Sequence, residues 1–349
     1  MTGGRLPADV KRTSALRRVP PIEQIRLRSE RGNEGDVCAF ELPSDSVPIT
    51  VEAPSGRMMA IAPGDIFLAT PGYLETRRLA VGGIPADGLV PGGDYWVLSY
   101  SGVVGELISC HLTSEMQHLG RVLYLGAVCG DGDGPLNIRQ FAVINADGTD
   151  RNAPVYLILG TSSEVGKTTA GVAVLRALRM QGHAPVVALK ATGTPSIGEI
   201  APYQDFGASP ALDCIDFGLP TTFPPSRPGI ENFLGNMLDF CFSLPADAVV
   251  VECAGDPVSA SAPELLAALK ARRSELKIIL AAADALGAMG AMHALAEIGL
   301  TISLITGPCT DTPTLRERTE ALCGIPAINL ARGPDQGTQS DLSGIAALK

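Results

Sequence analysis

The chain has 349 residues, of which 46% are hydrophobic, 18% charged and 5% aromatic, with a formal net charge of −10. That apolar fraction excludes a disordered chain, and an acidic balance with a single Trp lacks the basic footprint of a nucleic-acid binder. At about 100–200 residues per domain, the length predicts two domains, each able to bury a core of its own.

The first 35 residues carry many Arg without the apolar run of a secretory signal, and read as a flexible basic arm. Residues 36–147 read as a β-rich domain. Short apolar runs at 47–51, 58–61, 65–69, 95–100 and 121–125 alternate with Pro-Gly, Gly-Gly and Asp-Gly turns, the pattern of a small barrel or sandwich. Its ionisable residues are scattered, with no nucleophile–base spacing. The polar, turn-rich stretch 145–154 marks the domain boundary.

The pattern changes over residues 154–332. Apolar runs at 155–159, 184–189, 248–251, 278–281, 302–305 and 327–330 have the composition of strands buried on both faces. Between most of them lie helix-length stretches at 167–181, 230–242, 262–274, 286–298 and 314–322. This is an α/β domain with a mostly parallel sheet. The most apolar stretch, 278–305, is interrupted by Asp284, His293 and Glu297, so it reads as a packed helix between two strands and not as a membrane span. Residues 333–349 are rich in Gly, Gln and Ser and read as a partly ordered tail. Eight cysteines (Cys38, Cys110, Cys129, Cys214, Cys241, Cys253, Cys309 and Cys323) form no C-x-x-C pair and read as buried, reduced thiols of a cytoplasmic protein. Cys110 and His111 read as neighbours on a strand with no metal role.

The clearest chemical signal is the segment G-T-S-S-E-V-G-K-T-T over residues 160–169, placed between an apolar strand and a helix. Phosphate binding needs this order, because successive backbone N–H groups and a helix N-terminus then face the anionic oxygens. The cradle comprises Gly160, Thr161, Ser162, Ser163, Glu164, Val165, Gly166, Lys167, Thr168 and Thr169. Lys167 reaches the terminal phosphates and the Thr168 hydroxyl serves Mg²⁺. The usual G-x-x-x-x-G-K-[ST] pattern has its first glycine one place later than Gly160. A neighbouring apolar strand delivers Glu252 to its C-terminal end, the edge where ligands of open α/β sheets gather, as a candidate metal and catalytic carboxylate. Lys190 ends another strand, where a positive charge suits a negative charge developing nearby. Asp205, Asp213 and Asp216 follow that strand, and any of them is a candidate further Mg²⁺ partner, since Mg²⁺ is commonly held by one or two carboxylates plus phosphate oxygens.

Together these residues resemble the dethiobiotin synthetase and cobyrinic acid diamide synthase family of P-loop NTPase-fold enzymes. The segment G-T-S-S-E-V-G-K-T resembles the family's G-T-D-T-x-V-G-K-T loop, displaced glycine included. K-A-T-G at 190–193 resembles its K-P-x-x-T-G strand end, V-E-C-A-G at 251–255 its V-E-G-A-G, and L-G-A-M-G at 286–290 its L-G-x-x-N, with Gly290 replacing the asparagine. The stretch from Lys190 through Glu199, Asp205 and Asp213 to Thr222 is similar to a little-characterised P-loop family that includes D-glutamate N-acetyltransferases.

The resemblance implies an ATP- and Mg²⁺-dependent ligase that phosphorylates a small-molecule carboxylate or carbamate and joins it to an amine, with Lys167, Lys190 and Glu252 as catalytic residues. It also places the nucleobase on the loops at 307–311 and 329–332. An N-acyltransferase whose loop grips acyl-CoA, and a nucleotide-switched cofactor or metal chaperone, are the alternatives. The expected setting is a cytoplasmic homodimer with small-molecule substrates and neither nucleic-acid nor membrane partners.

Overall fold

A computed structural model describes residues 5–75, 80–110, 120–130, 134–143, 149–224 and 227–331. The tail at 333–349, Arg332, His111 and part of the 145–154 connection lie outside them. The chain divides into two units. The first holds Met1–Ile144 with the short segments Thr194–Gly198 and Cys214–Pro224, and the second holds Asn145–Gly193, Glu199–Asp213 and Pro225–Lys349.

In the first unit, the segment expected to be a loose basic arm is part of the fold. Ile25–Arg28 alternates buried Ile25 and Leu27 with exposed Arg26 and Arg28, the period of a half-buried strand. It pairs antiparallel with Arg121–Cys129. Ala15, Leu16 and Val19 are buried with it. The arginines dominate the composition of this segment, but the apolar residues between them decide its structure.

The β-rich reading resolves as a barrel. Arg121–Cys129 pairs with Cys38–Glu41, which pairs with Ile66–Pro71. Ile66–Pro71 pairs with Val103–Cys110, and Asp94–Val97 joins that strand to Arg121–Cys129, so the ring of pairings closes. Closure removes sheet edges and turns one face of every strand inward. Phe40, Phe67, Tyr95 and Tyr124 fill the interior; the Phe40 and Tyr124 rings lie 5.4 Å apart and Tyr95 meets Tyr124 edge-on at 74°. The buried Tyr124 hydroxyl donates to the Glu30 carbonyl at 2.9 Å.

The second unit is a six-stranded sheet of β1 (Val155–Gly160), β2 (Val186–Lys190), β3 (Ala211–Asp213), β4 (Ala248–Glu252), β5 (Lys277–Ala281) and β6 (Ile302–Thr306). Spatial order is β3-β2-β4-β1-β5-β6, with every pairing parallel. The helices are α1 (Lys167–Met180), α2 (Ile197–Asp205), α3 (Ile230–Ser243), α4 (Ala262–Arg272), α5 (Ala285–Glu297) and α6 (Pro313–Cys323). Strand β1 lies between β4 and β5, so the chain leaves it for one side of the sheet and later returns to the other. The crevice at its C-terminal end is the switch point where ligands of such sheets bind.

Three details depart from the sequence reading. Residues 327–330 form no strand, keeping only one bridge from Ala327 to Ile305. The outer strand on the opposite side is instead Ala211–Asp213, three residues that present too little pattern to be read. Helix α2 falls in a stretch to which the sequence reading assigns no element; Pro202 lies inside it, where a missing N–H argues against a helix. The apolar stretch 278–305 resolves into β5, α5 and β6, and among the described residues no helix is long and apolar enough to cross a membrane.

Candidate active site

The loop after β1 bends where its residues allow it. Gly160 is the last residue of β1, and a Cβ there would approach the Lys167 stem to 2.7 Å. Thr161 anchors the loop to the next strand end, its N–H donating to the Ala281 carbonyl at 3.0 Å and its Oγ1 accepting from the Ala283 N–H at 3.1 Å. Ser163 and Glu164 form the turn, exposed Glu164 takes a left-handed φ of 62°, and Val165 is buried. Gly166, at φ 87°, is the N-cap of α1 and offers no side-chain cap. No N-cap side chain therefore covers the first-turn N–H groups of α1, and the positive end of the helix dipole lies behind them, an arrangement that suits an anion. Thr169 is exposed on that first turn.

Lys167 is buried, and its Nζ donates to the Ser162 carbonyl at 2.6 Å and the Gly255 carbonyl at 3.2 Å. Burial pulls its pKa below the ordinary lysine value, with the charge of Glu252 opposing this and that of Lys190 adding to it.

The register of the sheet sets the rest of the site. Lys190 of β2 lies opposite both Glu252 of β4 and Asp213 of β3, so three ionisable residues share one row. The Oε1 atom of Glu252 accepts from Thr168 Oγ1 at 3.1 Å and from Lys190 Nζ at 3.3 Å. Its Oε2 accepts from the Tyr203 hydroxyl at 2.7 Å. Lys190 also pairs with Glu199 at 2.6 Å. Burial opposes the Lys190 charge, but Glu252 and Glu199 outweigh it and hold its pKa above the usual range. Beside them, Cys253 Sγ lies 3.3 Å from Thr192 Oγ1. Burial pushes this thiol up to about 11, against the Thr192 hydrogen bond, so it stays neutral at ordinary pH.

Lys167, Thr168, Lys190 and Glu252 thus come together, and Asp213 stands beside Lys190 in the same row, while Asp205 and Asp216 have other surroundings. Among the described residues no three of His, Cys, Asp and Glu gather as a metal cluster. Asp205 is exposed at the end of α2. Asp213 is buried in the β3 row. Asp216 belongs to the first unit, where Arg17 meets its Oδ2 at 2.8 Å. The two loops expected to hold a nucleobase are tied together, Asn329 Nδ2 donating to Asp311 Oδ1 at 2.9 Å.

Sequence reading missed the role of Tyr203 and gave Glu199 no contact. The available signal was Gly171, an isolated glycine inside α1, which marks a close approach by another group.

A hydroxyl and a carboxylate 3.1 Å apart are oxygen donors of the kind that fits Mg²⁺, which prefers oxygen and keeps several of its waters. The strand–loop–helix and the parallel order around it define a P-loop nucleotide-binding fold. No protein-family model matches the chain, and no curated protein matches it. Three solved structures are similar to part of it. A ParA family ATPase from Chlorobium tepidum TLS is 15% identical at a TM-score of 0.33, over 56% of this chain and 90% of that one. A DUF1611 family protein from Anabaena variabilis ATCC 29413 is 12% identical at 0.39, over 56% and 57%. The signal recognition particle 54 kDa protein of Aeropyrum pernix K1, in complex with GDP, is 17% identical at 0.35, over 60% and 53%. The chain thus spans little more than half the length of the latter two.

Proposed function

We propose that this chain is an ATP-dependent carbon–nitrogen ligase that phosphorylates a small-molecule carboxylate or carbamate and then joins it to an amine. The observation that carries the reading is the meeting of Thr168 Oγ1 and Lys190 Nζ on one oxygen of Glu252, next to the loop lysine Lys167. A loop that only grips phosphates needs one lysine. A second buried lysine, held by the carboxylate that Thr168 also meets, suits a step in which charge spreads over a phosphoryl group in transfer.

In that step a substrate carboxylate oxygen attacks the γ-phosphorus, the bond to the bridging oxygen breaks, and ADP leaves. Lys167 and Lys190 neutralise the equatorial oxygens, and the N-terminus of α1 steadies the β-phosphate. An amine then attacks the acyl carbon of the acyl phosphate, loses a proton and expels inorganic phosphate. Thr168 and Glu252 are the residues to hold Mg²⁺, which when bound offsets negative charge on the phosphates. The four-motif resemblance to dethiobiotin synthetase and cobyrinic acid diamide synthase enzymes supports the reading, and the neutral Cys253 thiol supports charge stabilisation over a thiolate nucleophile.

Hydroxylamine intercepts acyl phosphates as hydroxamates. With candidate carboxylates, the protein is expected to give a hydroxamate only when ATP and Mg²⁺ are present. ADP release that ignores the carboxylate, or acyl transfer from acyl-CoA with ATP omitted, would contradict the proposal.

A further inference from the structure

The two oxygens of Glu252 have different partners. Oε1 faces Thr168 and Lys190, while Oε2 is taken by Tyr203 at 2.7 Å. Tyr203 is buried, and Glu252 is 1% exposed, so solvent does not replace this bond. The phenol also occupies a slot in the loop helix. A Cβ on Gly171 of α1 would overlap the Tyr203 hydroxyl oxygen. Glycine is a poor residue for a helix interior, yet α1 carries it where Tyr203 enters.

We propose that Tyr203 is a positioning residue of the phosphate site: it locks the Glu252 carboxylate so that Oε1 is presented to Thr168 and Lys190, and Gly171 is the slot that admits it. The inference rests on the reading of this loop as a site for nucleotide phosphates with Mg²⁺. A carboxylate's last torsion is soft, so without the Tyr203 bond its orientation is set by Thr168 and Lys190 alone. The role is therefore specific to the Mg²⁺-dependent part of binding, because the loop N–H groups and Lys167 hold the phosphates on their own.

The test uses the full chain as wild type, Tyr203→Phe and Gly171→Ala, with ADP and ATPγS titrated in EDTA and at increasing Mg²⁺. Tyr203→Phe keeps the ring and loses one oxygen. Its affinity for ADP in EDTA is expected to stay within about twofold of wild type, while the Mg²⁺ concentration that half-maximally tightens binding rises about tenfold, the scale of one hydrogen bond to a charged group. Gly171→Ala, which favours the helix itself, should shift the Mg²⁺ requirement in the same direction by displacing the phenol. An unchanged Mg²⁺ requirement in Tyr203→Phe would overturn the proposal. So would equal weakening with and without Mg²⁺ accompanied by a lower melting temperature, the signature of packing alone. A wild type that binds neither nucleotide overturns the phosphate-site reading and this proposal with it, and that failure is recognised because it precedes any substitution.

Discussion

Lys190 shows how a single buried charge is maintained. Its side chain is 5% exposed and lies between Glu252 at 3.3 Å and Glu199 at 2.6 Å. Removing one partner of a buried pair leaves uncompensated charge and costs about 3 kcal/mol or more. Lys190→Met is therefore expected to lower unfolding free energy by about 3 kcal/mol in chemical denaturation. The pH dependence has a definite sign. A lysine whose folded pKa lies above the ordinary 10.5 binds its proton more tightly when folded, so its stabilisation is complete below that value and is lost only as pH rises through the elevated one. The gap between wild type and variant should stay level across the neutral range and close only in strong alkali. A variant as stable as wild type at neutral pH would show that Lys190 contributes nothing to holding the two glutamates. Lys167 is placed differently: it donates to two backbone carbonyls, and burial lowers its pKa, so an arriving anion would relieve an unfavourable charge.

At the scale of elements, a glycine bulge bends one strand of the barrel. Gly126 has φ +146° at a register shift between Arg121–Cys129 and Cys38–Glu41, and a Cβ there would collide with the Arg28 carbonyl oxygen. Gly126→Ala is expected to destabilise the first unit by about 2 kcal/mol, seen as a lower melting temperature, while ADP binding at the loop is retained. An unaffected melting temperature would mean that the bulge relaxes without cost. The same scale explains what could be read from the residues alone. Long apolar strands such as β1, β4 and β5, and a loop as patterned as residues 160–168, declare themselves because local composition and tertiary role agree. The basic segment at Ile25–Arg28 did not, because its period-two alternation is only four residues long and is masked by arginine. Helix α2 did not either, because Pro202 contradicts a helix that tertiary contacts nevertheless hold. With α2 unread, Tyr203 and Glu199 could not be placed, so the candidate site was legible in its loop, Lys190 and Glu252 but not in the helix that orients them. Asp205 and Asp216 make the same point: both follow Lys190 in the chain, but Asp205 is exposed at the end of α2 and Asp216 pairs with Arg17.

For the whole molecule, chemistry and scaffold divide unequally. The first unit encloses an aromatic-filled barrel, and the second carries the loop, both lysines and Glu252 at the C-terminal edge of a parallel sheet. The acidic balance of the chain, −10 overall, is no obstacle to a polyphosphate ligand, because the binding charges are local: an uncapped helix start and two buried lysines. The central claim is that this edge binds nucleotide phosphates together with Mg²⁺. Calorimetric titration of ATPγS into the full chain measures it most directly. Wild type is expected to bind one equivalent, more tightly with Mg²⁺ than in EDTA. Lys167→Ala should lose binding by about 100-fold or more, and Glu252→Gln should lose mainly the Mg²⁺ increment. Absence of binding by wild type, or equal binding by Lys167→Ala, would contradict the account.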